Sequence, residues 1–274
     1  MASYLGVSRY GYYKWRKREG TVRERRDKSL VATIRKTFDK SKNTYGVLRV
    51  YHALQQEGIS CGRERVRRLM RAEELYPKQK KKFIITTDSE HYQPVASNIL
   101  NREFSAERPN QKWVGDITYI RTDEGWLYLA VVIDLFSRMV VGWSMSNRID
   151  RFLVIAALKM AVLRRNPPAW MLFHSDRGLQ YASDDYRSEL KTHQITQSMS
   201  RKGNCWDNAV AESFFHTLKG EQNVRFATRS AGKKWLFNYI EVFYNRRRLH
   251  STLGYLSPVK FEEIYWMRSL EHVG

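Results

Sequence analysis

Between residues 112 and 146 three apolar runs follow one another with little between them: KWVGDITYI, GWLYLAVVID and RMVVGWSMS. The first alternates apolar and polar positions, as a half-buried strand does. The second and third meet at Asp134-Leu135-Phe136-Ser137, a hairpin pattern, so the three runs read as consecutive antiparallel strands. Asp150 then caps a helix through Arg164, with Leu153, Ala156, Ala157, Met160 and Leu163 expected on one face and Pro167 and Pro168 ending it. AWMLFHSD follows as a short buried strand, SELKTH as a helix and ITQSMS as another strand. Strands, a helix, a strand, then further alternation predict an α/β fold with a mixed sheet.

Three acids are singled out by their places in this pattern. Asp116 falls in mid-strand, between Gly115 and Ile117. Asp176 falls where a strand gives way to Arg177-Gly178, and α/β sites gather at strand ends. Glu212 falls in the first turn or so of a helix running from Ala209 to about Glu221, capped by Asp207 or Asn208. A carboxylate within a strand is costly to bury unless paired or bound to metal. Three carboxylates brought together would repel and take up protons unless a divalent cation neutralised them. Hard oxygen donors select Mg2+ or Mn2+ over zinc. Two ions about 4 Å apart would then serve in-line phosphoryl transfer. The residues alone leave a plainer alternative open, since an acid at a helix start also serves as a cap or dipole contact.

On the Glu212 helix, Asn208 lies one turn before the acid and Lys219 two turns after it, on the same face. Val210, Phe214 and Leu218 on the other side are expected to pack inward. Asn208 and Lys219 are candidate DNA contacts, with Arg177, Arg201 and Lys202 in the neighbouring loops. Residues 228–248 read as a last amphipathic helix carrying Trp235, Tyr239, Val242 and Phe243.

Upstream, residues 22–75 read as three helices. The first carries Leu30, Ile34 and Phe38; the second Val47, Val50 and Leu54, stopped by Gly58. The third begins near Ser60, with Val66, Leu69 and Met70 inward and Arg63, Arg67 and Arg71 outward, one arginine per turn. Such a row suits backbone phosphates, with a solvated basic face as the alternative. Residues 3–18 look like the end of a helix-turn-helix, Gly6 making the turn and Ser8 the cap.

Charge points to the partner. The formal net charge is +20 over 274 residues, more than solubility requires and suited to a polyanion. Composition alone also admits a ribosomal or other basic protein. The two cysteines, Cys61 and Cys205, have no CxxC partner, so no zinc site is legible, and they fit a reducing cytoplasm. The longest apolar stretch, WLYLAVVIDLF, is broken by Asp134 and too short to span a bilayer, so no membrane partner is expected.

Glu212 lies 36 positions after Asp176, so thirty-five residues intervene. This spacing resembles the D,D-35-E pattern of retroviral-integrase-like transposases. WVGDITYI, VVIDLFSRMVVGW, HSDRGLQY, SRKGNCWDNAVAESFFHTLKGE and the tail YNRRRLHSTLGYLSPVKFE are similar to the OrfB transposases of the insertion-sequence-three family, as are TYGVLRVYHAL and RERVRRLMRAEEL upstream. The resemblance spans residues 3 to 262.

It implies an RNase H-like core with a mixed five-stranded sheet flanked by helices, behind a small all-helical DNA-binding domain. It implies a catalytic, metal-binding triad of Asp116, Asp176 and Glu212, with Lys219 assisting at the element's ends. The expected partners are DNA, as terminal inverted repeats and target, further copies of the chain in a homo-oligomer, and an upstream OrfA protein or OrfA–OrfB fusion. The expected location is the cytoplasm, on the nucleoid when DNA is bound. The expected division is a helix-turn-helix remnant over 1–20, a helical DNA-binding domain over 21–76, a basic linker over 77–106, the catalytic core over 107–222 and a C-terminal helical extension over 223–274.

Three rivals stand beside this reading. They are an inactive or regulatory DNA-binding relic, another nuclease with the same core, and a tyrosine recombinase using Arg248, His250 and Tyr255.

Overall fold

The computed structural model describes residues 4, 6, 8–17, 21–77, 94–202, 204–222 and 224–271. The chain divides into two compact units, one ending at residue 78 and the other starting at 79.

The first unit is helical. Gly6 takes a φ of 64° and Ser8 caps α1 (Arg9–Arg16) by accepting from the Gly11 N–H, as the turn chemistry requires. α1 buries none of its residues. α2 (Val22–Lys40) starts with a capping box between Thr21 and Glu24 and buries Leu30, Ile34 and Phe38. α3 (Val47–Gln56) adds Val50 and Leu54, and α4 (Arg63–Ala72) adds Val66, Leu69 and Met70. Each fully buried aliphatic side chain of this kind contributes about 1.5–3 kcal/mol. α4 begins at Arg63 rather than near Ser60, with Gly62 as its cap. Asp27 of α2 receives both Arg65 and Arg68 of α4, at 2.6 Å each. These two arginines join the helices, while Arg63, Arg67 and Arg71 stay exposed.

The second unit is built on a five-stranded sheet in the order β3-β2-β1-β4-β5. β1 (Lys112–Thr122), β2 (Gly125–Asp134) and β3 (Val140–Ser146) form the expected antiparallel meander. β4 (Leu172–Ser175) and β5 (Thr196–Met199) run parallel to β1 on its other side, which makes the sheet mixed. Asp134 ends β2 fully buried, accepting from the N–H groups of Asn110 and Phe136 and from the Trp113 indole. Burial pushes its carboxyl up to about 6.

α5 (Arg151–Arg165) packs on the sheet, capped by Asp150 as expected. Its buried face is Leu153, Val154, Ala157, Leu158 and Ala161, not the face predicted through Ala156 and Leu163; Leu163 is 86% exposed. The reason is a close approach: a Cβ on Gly142 of β3 would collide with the Ala157 carbonyl, so the small-residue side of α5 is the side that fits. Trp113, Ala130, Val132, Phe173 and Tyr186 complete this core. After β4 come α6 (Leu179–Ala182) and α7 (Asp184–Thr192), then α8 (Ala209–Glu221) behind a 3-10 turn over Cys205–Asn208.

The predicted last helix over 228–248 is in two parts. α9 (Arg229–Phe237) leads into a π-helix, Asn238–Tyr244, which widens the turn. Tyr239, Ile240, Phe243 and Tyr244 are buried there, and Val242 lies outside. α10 (Pro258–Glu271) closes the chain, its Glu262 taking the Ser137 hydroxyl and the Arg165 guanidinium. Of the stretch expected as a linker, residues 94–106 lie along this unit: Leu100 is buried, and its N–H and that of Ile99 donate to the Ser198 hydroxyl.

Candidate active site

β4 pairs with β1 only from Lys112↔Leu172 to Gly115↔Ser175. The next residue on each strand is an acid, Asp116 on β1 and Asp176 after β4. β1 continues beyond this pairing, held by β2 on one side and meeting only a bridge from Thr122 to Phe226 on the other, so its edge opens at Asp116. Gly115 just beneath is required by packing, because a Cβ there would lie 2.5 Å from the Phe173 ring. Each carboxylate is aimed by a backbone N–H, that of Ile117 at 2.7 Å from Asp116 and that of Gly178 at 3.0 Å from Asp176.

Burial, and then the negative charge of Asp176, push the Asp116 carboxyl well above the usual carboxylate range. Glu212 adds a smaller push, and Lys219 pulls the other way. The fully buried Tyr181 phenol lies behind the pair and is held neutral, by burial first and by the two acids in part.

α8 brings Glu212 in its first turn and Lys219 in its last. Glu212 is half-buried, and burial raises its carboxyl. Among the described residues, no three His, Cys, Asp or Glu side chains are drawn together tightly enough to hold a metal ion. Asp116 and Asp176 are thus a pair at the sheet edge, with Glu212 a third carboxylate carried on α8. As donors they suit a hard cation: they are all carboxylates, and the central one carries an uncompensated charge cost that a cation would remove. Lys219 sits with its Nζ 4.5 Å from the centre of the Tyr119 ring, and burial lowers its amine to about 8.

The pair opens into a cleft of about 550 Å³ lined by Asp116, Ile117, Tyr119, Trp126, Tyr128, Ile149, Asp176, Gly178, Leu179 and Gln180. The aromatic wall of this cleft, Tyr119, Trp126 and Tyr128, was not anticipated from the sequence. Its signal was present: Tyr119 and Tyr128 stand opposite each other once the hairpin register is known.

The other predicted contacts separate. Asn208 is buried, 4% exposed, and donates to the Gly115 carbonyl, so it ties α8 to β1 beside Asp116. Arg201 holds the fully buried Asp207 with two hydrogen bonds of 2.8 and 2.9 Å, aided by Arg102 and Asn98. This pairing shapes the loop before Glu212, and the Arg201 side chain stays 47% exposed. Arg201 holds the Asp207 carboxyl well below the usual range, and Asp207 caps no helix. Arg177 donates to the Ser200 carbonyl at 2.6 Å, and Lys202 is exposed. His174, fully buried just before Ser175 and Asp176, is bracketed by the hydroxyls of Ser198 and Ser200. Arg248 binds Glu221 within the fold, which removes it from any recombinase-like site.

A mixed five-stranded sheet with paired acids at the end of its parallel strands, and a third acid on a following helix, defines an integrase-type core. The sequence matches an Integrase core domain over residues 106–205, a second Integrase core domain model over 212–264, and an HTH-like domain over 24–83. The chain is 45% identical over 267 residues to the insertion element IS600 uncharacterized 31 kDa protein of Shigella sonnei, covering 97% of this chain and 98% of that protein. It is 45% identical over 266 residues to transposase InsF for insertion sequence IS3A of Escherichia coli (strain K12), covering 96% and 92%. Among solved structures, a simian T-cell lymphotropic virus intasome in complex with PP2A regulatory subunit B56 gamma superposes with a TM-score of 0.46 at 16% identity, over 78% of this chain and 73% of that one. The HTLV-2 integrase catalytic core domain in complex with magnesium (trimeric form) gives 0.42 at 18% identity, over 57% and 98%. The chain belongs to the insertion-sequence-three family of transposases, and its activity is that of a DDE-type transposase.

Proposed function

We propose that this transposase cleaves the 3′ ends of its element and joins them to target DNA by two in-line displacements at one site formed by Asp116, Asp176 and Glu212. The observation that carries the reading is the pair Asp116 and Asp176, set level where β1 loses its β4 neighbour and facing a cleft. Two divalent ions, Mg2+ or Mn2+, would polarise the attacking and leaving oxygens when bound. Asp116 and Asp176 would hold them from the sheet and Glu212 from α8. Water is the first nucleophile and the freed 3′ hydroxyl the second, so no serine or tyrosine of the chain is consumed. Lys219 receives a phosphate beside the acids. Lys202 and Arg177 extend that contact, and Arg63, Arg67 and Arg71 bind backbone phosphates from α4. Arg201 and Asn208 act indirectly, by holding the loop and helix that carry Glu212.

The substrate is the element's terminal inverted repeats with a target duplex, engaged by several copies of the chain together with an upstream OrfA protein or as an OrfA–OrfB fusion. The work is done in the bacterial cytoplasm, on the nucleoid. Among the described residues no helix is long and apolar enough to cross a membrane.

The test is Asp176→Asn on end-labelled element DNA. An ion contributes several kcal/mol of transition-state stabilisation, so cleavage and joining should both fall on the order of 10³-fold while binding in chelator is kept. Normal strand transfer by this variant in magnesium would end the assignment.

A further inference from the structure

We infer that the aromatic wall beside the acid pair is a stacking subsite for one unpaired nucleobase of the DNA. This rests on the reading that the cleft takes DNA at Asp116 and Asp176. Tyr119 and Tyr128 face each other across β1 and β2, and Trp126 meets the Tyr119 ring edge-on, with centroids 4.9 Å apart. Trp126 is 45% exposed, Ile149 47% and Leu179 54%, and all three line the same cleft. A monomeric fold gains nothing by exposing three large apolar groups in one hollow.

The chemistry of the wall selects the occupant. Its lining residues carry no cation, and the two charges they do carry are the carboxylates, so a phosphate is repelled there. What the wall offers is flat π surface and an isoleucine. A nucleobase has two flat faces and no charge. In a duplex those faces are covered by neighbouring bases, so the base that enters must be unpaired. Lys219, whose Nζ is buried 4.5 Å from the centre of the Tyr119 ring and does not line the cleft, adds positive potential beside Asp116. The wall thus holds the base on one side of the acids, and its phosphodiester would approach them only once bound cations offset their charge. A terminal pair of the end DNA would open, and the released base would fix which phosphate lies in line.

The experiment uses the full chain in chelator, where no cleavage occurs. Two probes are compared: a hairpin duplex with a short unpaired tail carrying 2-aminopurine, and the same hairpin ending blunt. Stacking on aromatic side chains predicts about tenfold tighter binding of the tailed probe, with quenched fluorescence. Trp126→Ala should remove both the preference and the quenching. Trp126→Phe should restore most of each. Ile149→Ser, elsewhere in the cleft lining, should weaken the preference without altering Trp126. Equal affinity for the two probes, or full quenching by Trp126→Ala, overturns the subsite. Cleavage in magnesium is read separately: a chain that stacks the base and never cuts refutes the proposed reaction and leaves the subsite standing, and the reverse result does the opposite.

Discussion

Asp116 and Asp176 stand level with each other, each one residue past Gly115 and Ser175, the last paired couple of β1 and β4. Parallel register partners point their side chains the same way, so the pairing that builds the sheet also brings two like charges together. The fold bears this cost at Asp116, whose carboxyl is pushed up by burial first and by Asp176 next. A site strained in this way has a built-in demand for a cation.

That demand couples metal to protons. With its carboxyl raised well above the usual range, Asp116 holds a proton at pH values where an ordinary aspartate, near 3.9, is ionised. A divalent ion must displace that proton. Affinity for Mg2+ should therefore rise as pH is raised above the ordinary aspartate range, and binding should release protons. Calorimetry in buffers of different ionisation enthalpy measures this directly; no proton release at any pH above that range would contradict it.

The far end of α8 is held by a buried ion pair. Arg248 and Glu221 are 3% and 5% exposed, 2.8 Å apart, and the Tyr239 hydroxyl donates to the same carboxylate at 2.7 Å. Arg248→Ala leaves Glu221 charged and unmatched and should cost about 3–5 kcal/mol. Glu221→Leu with Arg248→Met should recover most of that loss. Urea unfolding of the four chains gives the comparison, and a neutral Arg248→Ala would show that the pair does not fasten the helix.

His174 should make the fold acid-sensitive. Burial holds its imidazole at about 4, below the ordinary value of about 6.5. The unfolded chain therefore binds a proton between these values and the folded chain does not. Stability falls as pH drops through this window, by about 3 kcal/mol in all, and is unaffected above it. His174→Gln should melt with less pH dependence between pH 7 and pH 4. An identical dependence in both chains would move the acid sensitivity elsewhere.

The basic residues divide by what already holds them. Replacing Arg63, Arg67 and Arg71 by alanine should reduce the slope of log affinity against log salt by roughly 2.7. Arg63 and Arg67 share Glu64, which trims that figure. Lys219→Ala should weaken engagement of end DNA more than of unrelated duplex. Arg201→Ala should leave the slope unchanged and lower the melting temperature instead, since its charge serves Asp207. Filter binding over a salt series with parallel melts separates the two kinds of residue.

Much of the molecule is legible from local pattern. The strand runs from Lys112 to Ser146, the Asp150 cap, the three upstream helices and the positions of the acids all follow from alternation, helical spacing and turn chemistry, which act between near neighbours. These are properties of the chain itself. Which face of α5 is buried was decided elsewhere, by the room that Gly142 leaves at Ala157 and Ala161. Arg201 and Asn208 looked like DNA contacts because nothing local shows that Asp207 and the Gly115 carbonyl claim them. The aromatic hollow exists only once β1 and β2 are in register and β4 has stopped short. Residue types and spacing depend on a few neighbouring positions. Side-chain partners are set by long-range packing, so the chemistry available at this site could be anticipated while its arrangement could not.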